Sequence, residues 1–169
     1  IIDFYKARAH RIIPPLLLLC VVMAVFGLIY LSPYEFERLS KHIAAAVTFT
    51  SNFIFFKESG YFDAASNTKW LLHTWSLSAE WQFYIIYPIV IVTLLKLFRI
   101  GTVKFLIVLA TLISLGISIF AVVSKNETYL NAGYYLLPTR AWEMMLGGIA
   151  FFFPLTNKKT ASYIQYIGI

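Results

Sequence analysis

The sequence predicts an all-α protein, a polytopic bundle of transmembrane helices with about four full spans, a short re-entrant or interfacial segment and the start of a further span. Three observations carry the prediction. Of the 169 residues 60% are hydrophobic, only 13% are charged, and the mean hydropathy is +0.74. A water-facing surface needs about twice that share of charge. The apolar residues run in blocks instead of alternating, and several blocks reach the roughly 20 residues that a helix needs to cross about 30 Å of hydrocarbon. Disorder, collagen-like structure and nucleic-acid binding fall with the same composition, since 18% of the residues are aromatic and the net charge of +6 is spread over a mostly uncharged chain.

Taken in order, residues 14–31, 77–98 and 103–123 are the clear spans, and residues 134–153 form a fourth with polar groups in its first half. Residues 162–169 begin a fifth. Residues 43–56 are short for a crossing at 14 residues and carry Thr48, Thr50, Ser51 and Asn52, which suits a re-entrant or interfacial element. Sidedness arbitrates, because short cytoplasmic loops collect Lys and Arg. If residues 43–56 do not cross, the basic stretches 6–11, 96–104 and 158–159 all fall on the cytoplasmic side; a full crossing would put the 96–104 loop outside. Pro88, inside a span, removes one backbone donor and marks a kink or a packed cavity. The chain opens at Ile1 and closes at Ile169 within an apolar run, and so reads as an internal fragment. The single cysteine, Cys20, excludes an internal disulfide framework and a multi-cysteine metal site.

Charged side chains on or near spans are the informative ones, each costing about 2.5–3.5 kcal/mol at mid-bilayer on insertion scales. Arg8 and Arg11 stand three apart and share a face if the segment is helical, so their guanidiniums make a fork for a phosphate-rich ligand; a positive-inside anchor is the plainer alternative. Ser76, Glu80 and Tyr84 recur every four residues and line one stripe, with Ser76 a candidate N-cap. At the mouth of an apolar helix Glu80 can pair with an arginine, bind a polar substrate or shuttle protons, whereas Trp75, Trp81 and Tyr84 also suit an aromatic belt. His73 would orient Glu80 or a substrate hydroxyl, or simply cap the helix. Arg140 and Glu143 form an internal ion pair or face a polar cavity shared with Glu80, and Gly147 with Gly148 lets a neighbouring helix close in. His10 reads as an interfacial cation and His42 as chemically idle. The sequence contains no metal-ligand spacing, phosphate loop, dinucleotide fingerprint or nucleophile elbow, so the expectation is no metal.

Three stretches, in order, resemble the membrane acyltransferase-3 family, which includes surface-polysaccharide and O-antigen O-acetylases. Phe4-Tyr5-Lys6-Ala7-Arg8-Ala9-His10-Arg11-Ile12-Ile13-Pro14 is similar to the family's Phe-Tyr-x-Arg-Arg-x-x-Arg-Ile-x-Pro, with Ala7 where the first arginine is usual. Residues 73–84 resemble its Trp-Ser-Leu-x-x-Glu-x-Gln-Phe-Tyr signature, and Arg140 to Glu143 its Arg-x-x-Glu element. The resemblance implies that residues 1–169 are the middle part of a single membrane acyltransferase domain, in a multi-pass protein of the bacterial inner membrane. It implies an acyl-CoA donor, acetyl-CoA above all, with no tightly bound cofactor. The implied partners are the lipid bilayer and a carbohydrate or other hydroxyl acceptor, not nucleic acid. Under this resemblance Glu80, His73, Arg140 and Glu143 serve catalysis, and Arg8 with Arg11 holds the donor. A further catalytic histidine is expected in a span ahead of Ile1, and some members of the family continue into a periplasmic SGNH-type hydrolase domain. A transporter or flippase core, with the same charges lining a pathway, is the competing reading.

Overall fold

The computed structural model describes residues 2–59 and 69–152. They form seven helices: α1 (Ile2–Tyr30), α2 (Pro33–Val47), α3 (Ser51–Glu58), α4 (Thr74–Leu97), α5 (Ile100–Val123), α6 (Glu127–Tyr135) and α7 (Leu137–Phe152). No strand occurs among the described residues. Helices α1, α4 and α5 are long and apolar enough to cross a membrane. Their outer faces stay bare: Leu18, Val21 and Leu28 on α1 and Leu112, Phe120 and Val123 on α5 are all more than half exposed, as lipid-facing side chains are. The expected fourth span breaks at Leu136 into α6 and the 16-residue α7. The expected fifth span and the basic residues 158–159 lie outside the described residues.

Helix α1 starts twelve residues ahead of its predicted span and runs through Pro14 and Pro15 without interruption. It lies antiparallel to α4: the Tyr5 hydroxyl donates to the Ile85 carbonyl at 3.0 Å, Leu77 packs on the Leu16–Cys20 cluster, and the rings of Phe26 and Trp70 sit 5.3 Å apart. The two backbones nevertheless stay apart and meet through long side chains, whereas α1 packs directly on α2 and α5 on α7. Gly27 permits the first of those approaches, since a Cβ there would come within 2.7 Å of Leu39 and 2.8 Å of Phe36.

Residues 43–56 do not make one continuous helix. Helix α2 ends in a Schellman turn, with Phe49 N–H donating to the Ala46 carbonyl at 3.1 Å and Thr50 N–H to the Ala45 carbonyl at 2.8 Å. Phe49 takes the left-handed position, φ 54, that glycine usually fills, at a cost of roughly 1–2 kcal/mol. Contacts with α4 offset this. The Phe49 ring stacks on Trp81 at 4.9 Å, and the Phe49 carbonyl accepts from Gln82 Nε2 at 2.8 Å. Gln82 also donates to Asn52 Oδ1 at 2.9 Å, Ser51 and Ser78 share a hydroxyl bond of 2.7 Å, and Asn52 reaches the Tyr135 carbonyl at 3.4 Å. Ser51, Asn52 and Ser78 are fully buried, so this polar clasp fixes the α2–α3 break against the first turns of α4 and the end of α6.

Helices α5 and α7 are joined by another device. The Ser114 hydroxyl accepts from Trp142 N–H at 3.0 Å and donates to the Pro138 carbonyl at 2.6 Å, standing between two groups that a regular helical turn would join directly. Replacing Gln82 by Leu leaves the Phe49 carbonyl and Asn52 Oδ1 without their partner, and should lower stability by about 1–3 kcal/mol. Thermal unfolding of the detergent-solubilised full-length protein checks this, and an unchanged midpoint would show that the clasp is dispensable.

Candidate functional site

Because α1 and α4 touch only through side chains, a hollow of about 470 Å³ remains between them. Arg8, Arg11, Ile12 and Pro15 line it from α1; His73, Ser76 and Glu80 line it from α4 and the residue before it. With residues 43–56 not crossing, loop charge puts Arg8 and Arg11 at the cytoplasmic face and Glu80, at the start of the next span, at the outer one. The structure brings all three to one cavity. The reason is the offset of the helices: α4 continues for twelve residues past Ile85 to Leu97, roughly 18 Å, so the level of Tyr5 lies well inside the basic end marked by Lys96 and Arg99.

Arg8 is held by aromatic rings. Its guanidinium carbon sits 4.7 Å from the centre of the Tyr84 ring and 5.5 Å from that of Phe4. The Tyr84 hydroxyl in turn donates to Glu80 Oε1, joining two members of the predicted stripe. The third, Ser76, is not the N-cap. Helix α4 begins at Thr74, and Ser76 Oγ donates back to the His73 carbonyl at 3.0 Å. His73 occupies the cap position without a side-chain bond to the helix, and its imidazole faces the hollow without bonding Glu80. Neither Arg8 nor Arg11 forms an ion pair with Glu80 or with any other described carboxylate. Two guanidiniums with free N–H donors therefore face the same space as a carboxylate and an imidazole.

A smaller hollow of about 190 Å³ lies between α4 and α7, lined by Trp75, Ser76, Glu80, Arg140, Glu143 and Met144. Glu80 and Ser76 thus stand in the wall common to both hollows. Arg140 Nη2 donates to Glu143 Oε2 at 2.9 Å, and the guanidinium lies 4.9 Å over the Trp75 ring. The ion pair and the shared polar cavity, alternatives in the sequence, are both present. Gly148 admits Tyr87 of α4, since the Tyr87 hydroxyl occupies the place of a side chain there; Gly147 faces open space.

Sequence reasoning missed the role of Trp75. The residue suits a headgroup belt by position, yet it is 5% exposed, packed with Phe55 and Tyr135 as the platform under Arg140. Sequence reasoning marked Ser51 and Asn52 as polar residues of a segment too short to cross, but not that they bond Ser78 and Gln82 of α4. His42, read as idle, is buried on α2 and bonds Glu58.

Truncating Trp75 to Ala should cost about 3–5 kcal/mol and free Arg140. Thermal unfolding together with the rate of labelling of Arg140 by a guanidinium-reactive dicarbonyl would measure both effects; unchanged labelling would dismiss the platform.

Comparison with known proteins agrees with the three motifs. The family model described as an acyltransferase domain matches residues 1–167. The chain is 32% identical over 159 residues to an uncharacterized protein of Haemophilus influenzae, covering 92% of this chain and 65% of that one. It is 31% identical over 177 residues to the O-acetyltransferase OatA of Staphylococcus aureus, covering 100% of this chain and 29% of that protein. The chain therefore spans less than two thirds of the length of either relative. No solved structure matches it. With three apolar helices of spanning length and a match along nearly the whole chain, this multi-pass membrane protein belongs to the acyltransferase-3 family.

Proposed function

We propose that the chain is the central part of a single integral-membrane acyltransferase domain that moves an acyl group, acetyl above all, from coenzyme A to a hydroxyl of a cell-surface carbohydrate such as O-antigen. The observation that carries the reading is the hollow that Arg8 and Arg11 share with Glu80 and His73. Phosphate groups of a coenzyme A donor match forked guanidinium donors that no described carboxylate neutralises. The pantetheine arm is long and weakly polar, and the apolar lining by Ile12, Leu16 and Leu77 suits it. The basic residues Lys96, Arg99 and Lys104 at that end of α4 and α5 support a cytoplasmic orientation for it in the inner membrane, the side on which acyl-CoA is made.

Glu80 accepts the proton of the acceptor hydroxyl. The oxygen then attacks the thioester carbonyl, the carbon–sulfur bond breaks, and the leaving thiolate takes that proton back from Glu80, giving an ester, free coenzyme A and the carboxylate restored. Arg140, on its Trp75 platform and paired with Glu143, supports the developing negative charge from the smaller hollow, and His73 borders the path of the donor.

Full-length protein in proteoliposomes with radiolabelled acetyl-CoA tests the roles. Glu80→Gln should reduce transfer about 10²–10⁴-fold with insertion unchanged; retained transfer would remove Glu80 from the chemistry, and label that moves across the membrane without ester formation would favour a transporter. Replacing Arg8 and Arg11 together by Gln should raise KM for acetyl-CoA at least about tenfold, by loss of two charge-assisted contacts.

Tyr84→Phe separates the two halves of the site. The ring under Arg8 stays while the bond to Glu80 is lost, so kcat should fall about tenfold and KM for the donor should hold. A change in KM alone would contradict this arrangement.

A further inference from the structure

A second polar hollow, about 450 Å³, opens at the other end of α1 where the chain turns into α2. Ser32, Tyr34, Glu35, Arg38, His42 and Trp70 line it, and none of these borders either hollow around Glu80. Glu35, Arg38 and His42 recur three and four residues apart on α2, which puts them on one stripe of that helix.

The engagements of the charged groups decide what the hollow can take. Glu35 closes a capping box: its Oε2 accepts from Ser32 N–H at 3.1 Å and from the Ser32 hydroxyl at 2.7 Å, bonds that hold its carboxyl below the usual range. His42 is 3% exposed, and its Nε2 lies 3.1 Å from each carboxylate oxygen of Glu58, which does not line the hollow. Both carboxylates are thus engaged. Arg38, only partly exposed, forms no hydrogen bond or ion pair with any described residue. One guanidinium is left with all its donors.

Two aromatic rings stand at the rim. Tyr34 is 70% exposed and Trp70 50% exposed, the latter braced by the Phe26 ring at 5.3 Å. A large half-exposed indole beside hydroxyl, carboxylate and guanidinium groups is the combination that takes the apolar face of a sugar ring on one side and its hydroxyls around the edge. A free guanidinium adds a preference for a planar or tetrahedral oxyanion.

We propose that this hollow binds an anionic saccharide, with a pyranose ring on Trp70 and its carboxylate or phosphate on Arg38. The hollow lies at the end of α1 opposite Lys96 and Arg99, the side from which a surface glycan would approach. Its use as an acceptor subsite rests on the acyl-transfer reading; binding of the saccharide does not.

Calorimetry on the full-length protein in nanodiscs tests the site with digalacturonate, glucose 6-phosphate and neutral cellobiose as probes, and coenzyme A in parallel. At least one anionic probe should bind about tenfold or more tightly than cellobiose, and the better of the two identifies carboxylate or phosphate as the favoured anion. Arg38→Gln should remove that preference, Arg38→Lys should restore part of it, and Trp70→Ala should weaken all sugars while Trp70→Phe retains them. Coenzyme A binding should be the same in every variant. Equal affinity for neutral and anionic probes, indifference to Arg38→Gln, or no sugar binding by protein that still takes coenzyme A would overturn the proposal. Saccharide binding without coenzyme A binding would leave this site standing and sink the acyl-transfer reading instead.

Discussion

The amide clasp between Gln82, Asn52 and the Phe49 carbonyl is the constraint on which the arrangement depends. In hydrocarbon a broken backbone is tolerated only where its polar groups find partners within the protein. The α2–α3 break meets that condition by leaning on one turn of α4. Doing so sets how far α4 begins along α1, and that offset decides which residues of the two helices share a level. Glu80 lies two residues before Gln82, on nearly the opposite face of the same turn, so the face that holds the break turns the carboxylate away from it, toward α1 and α7.

The separation of α1 from α4 then has a chemical meaning. Helices in a membrane usually approach through small residues, as α1 and α2 do at Gly27. Tyr5, Arg8 and Tyr84 hold α1 and α4 apart instead, and the space between is lined by polar groups that lipid would reject. Ionised side chains survive at this depth because they share a cavity, Arg8 lying against aromatic faces and Glu80 accepting from a phenol.

Much of the fold was legible in the sequence. Length and composition gave α4 and α5 nearly to their ends, and the four-residue spacing of Glu80 and Tyr84 foretold a stripe that the structure closes with a hydrogen bond. The pairing of Arg140 with Glu143 followed from their spacing of three. Spacing fixes which face of one helix a residue occupies, but not how far one helix slides along the next, and so Arg8 and Arg11 could not be set beside Glu80. Whether the residues ahead of the 14–31 span are helical was left open by the sequence, and the structure carries the helix through Pro14 and Pro15 back to Ile2. Trp75 was ambiguous for a physical reason: an aromatic residue at a helix start serves an interfacial belt and a buried platform equally well, and only the neighbours Phe55 and Tyr135 distinguish them. His42 and Glu58 are sixteen residues apart and meet only because the chain turns back between α2 and α3.

The hydroxyl of Ser114 between Pro138 and Trp142 carries a mechanical corollary. A seam of methyl and methylene groups lets two rods creep past each other in small steps, each position nearly as good as the last. Here translation by a single residue would strand an amide and a carbonyl in oil, so α5 and α7 are keyed like a ratchet with one tooth. Arg140 and Glu143, both within five residues of that key, inherit a fixed height along the bundle.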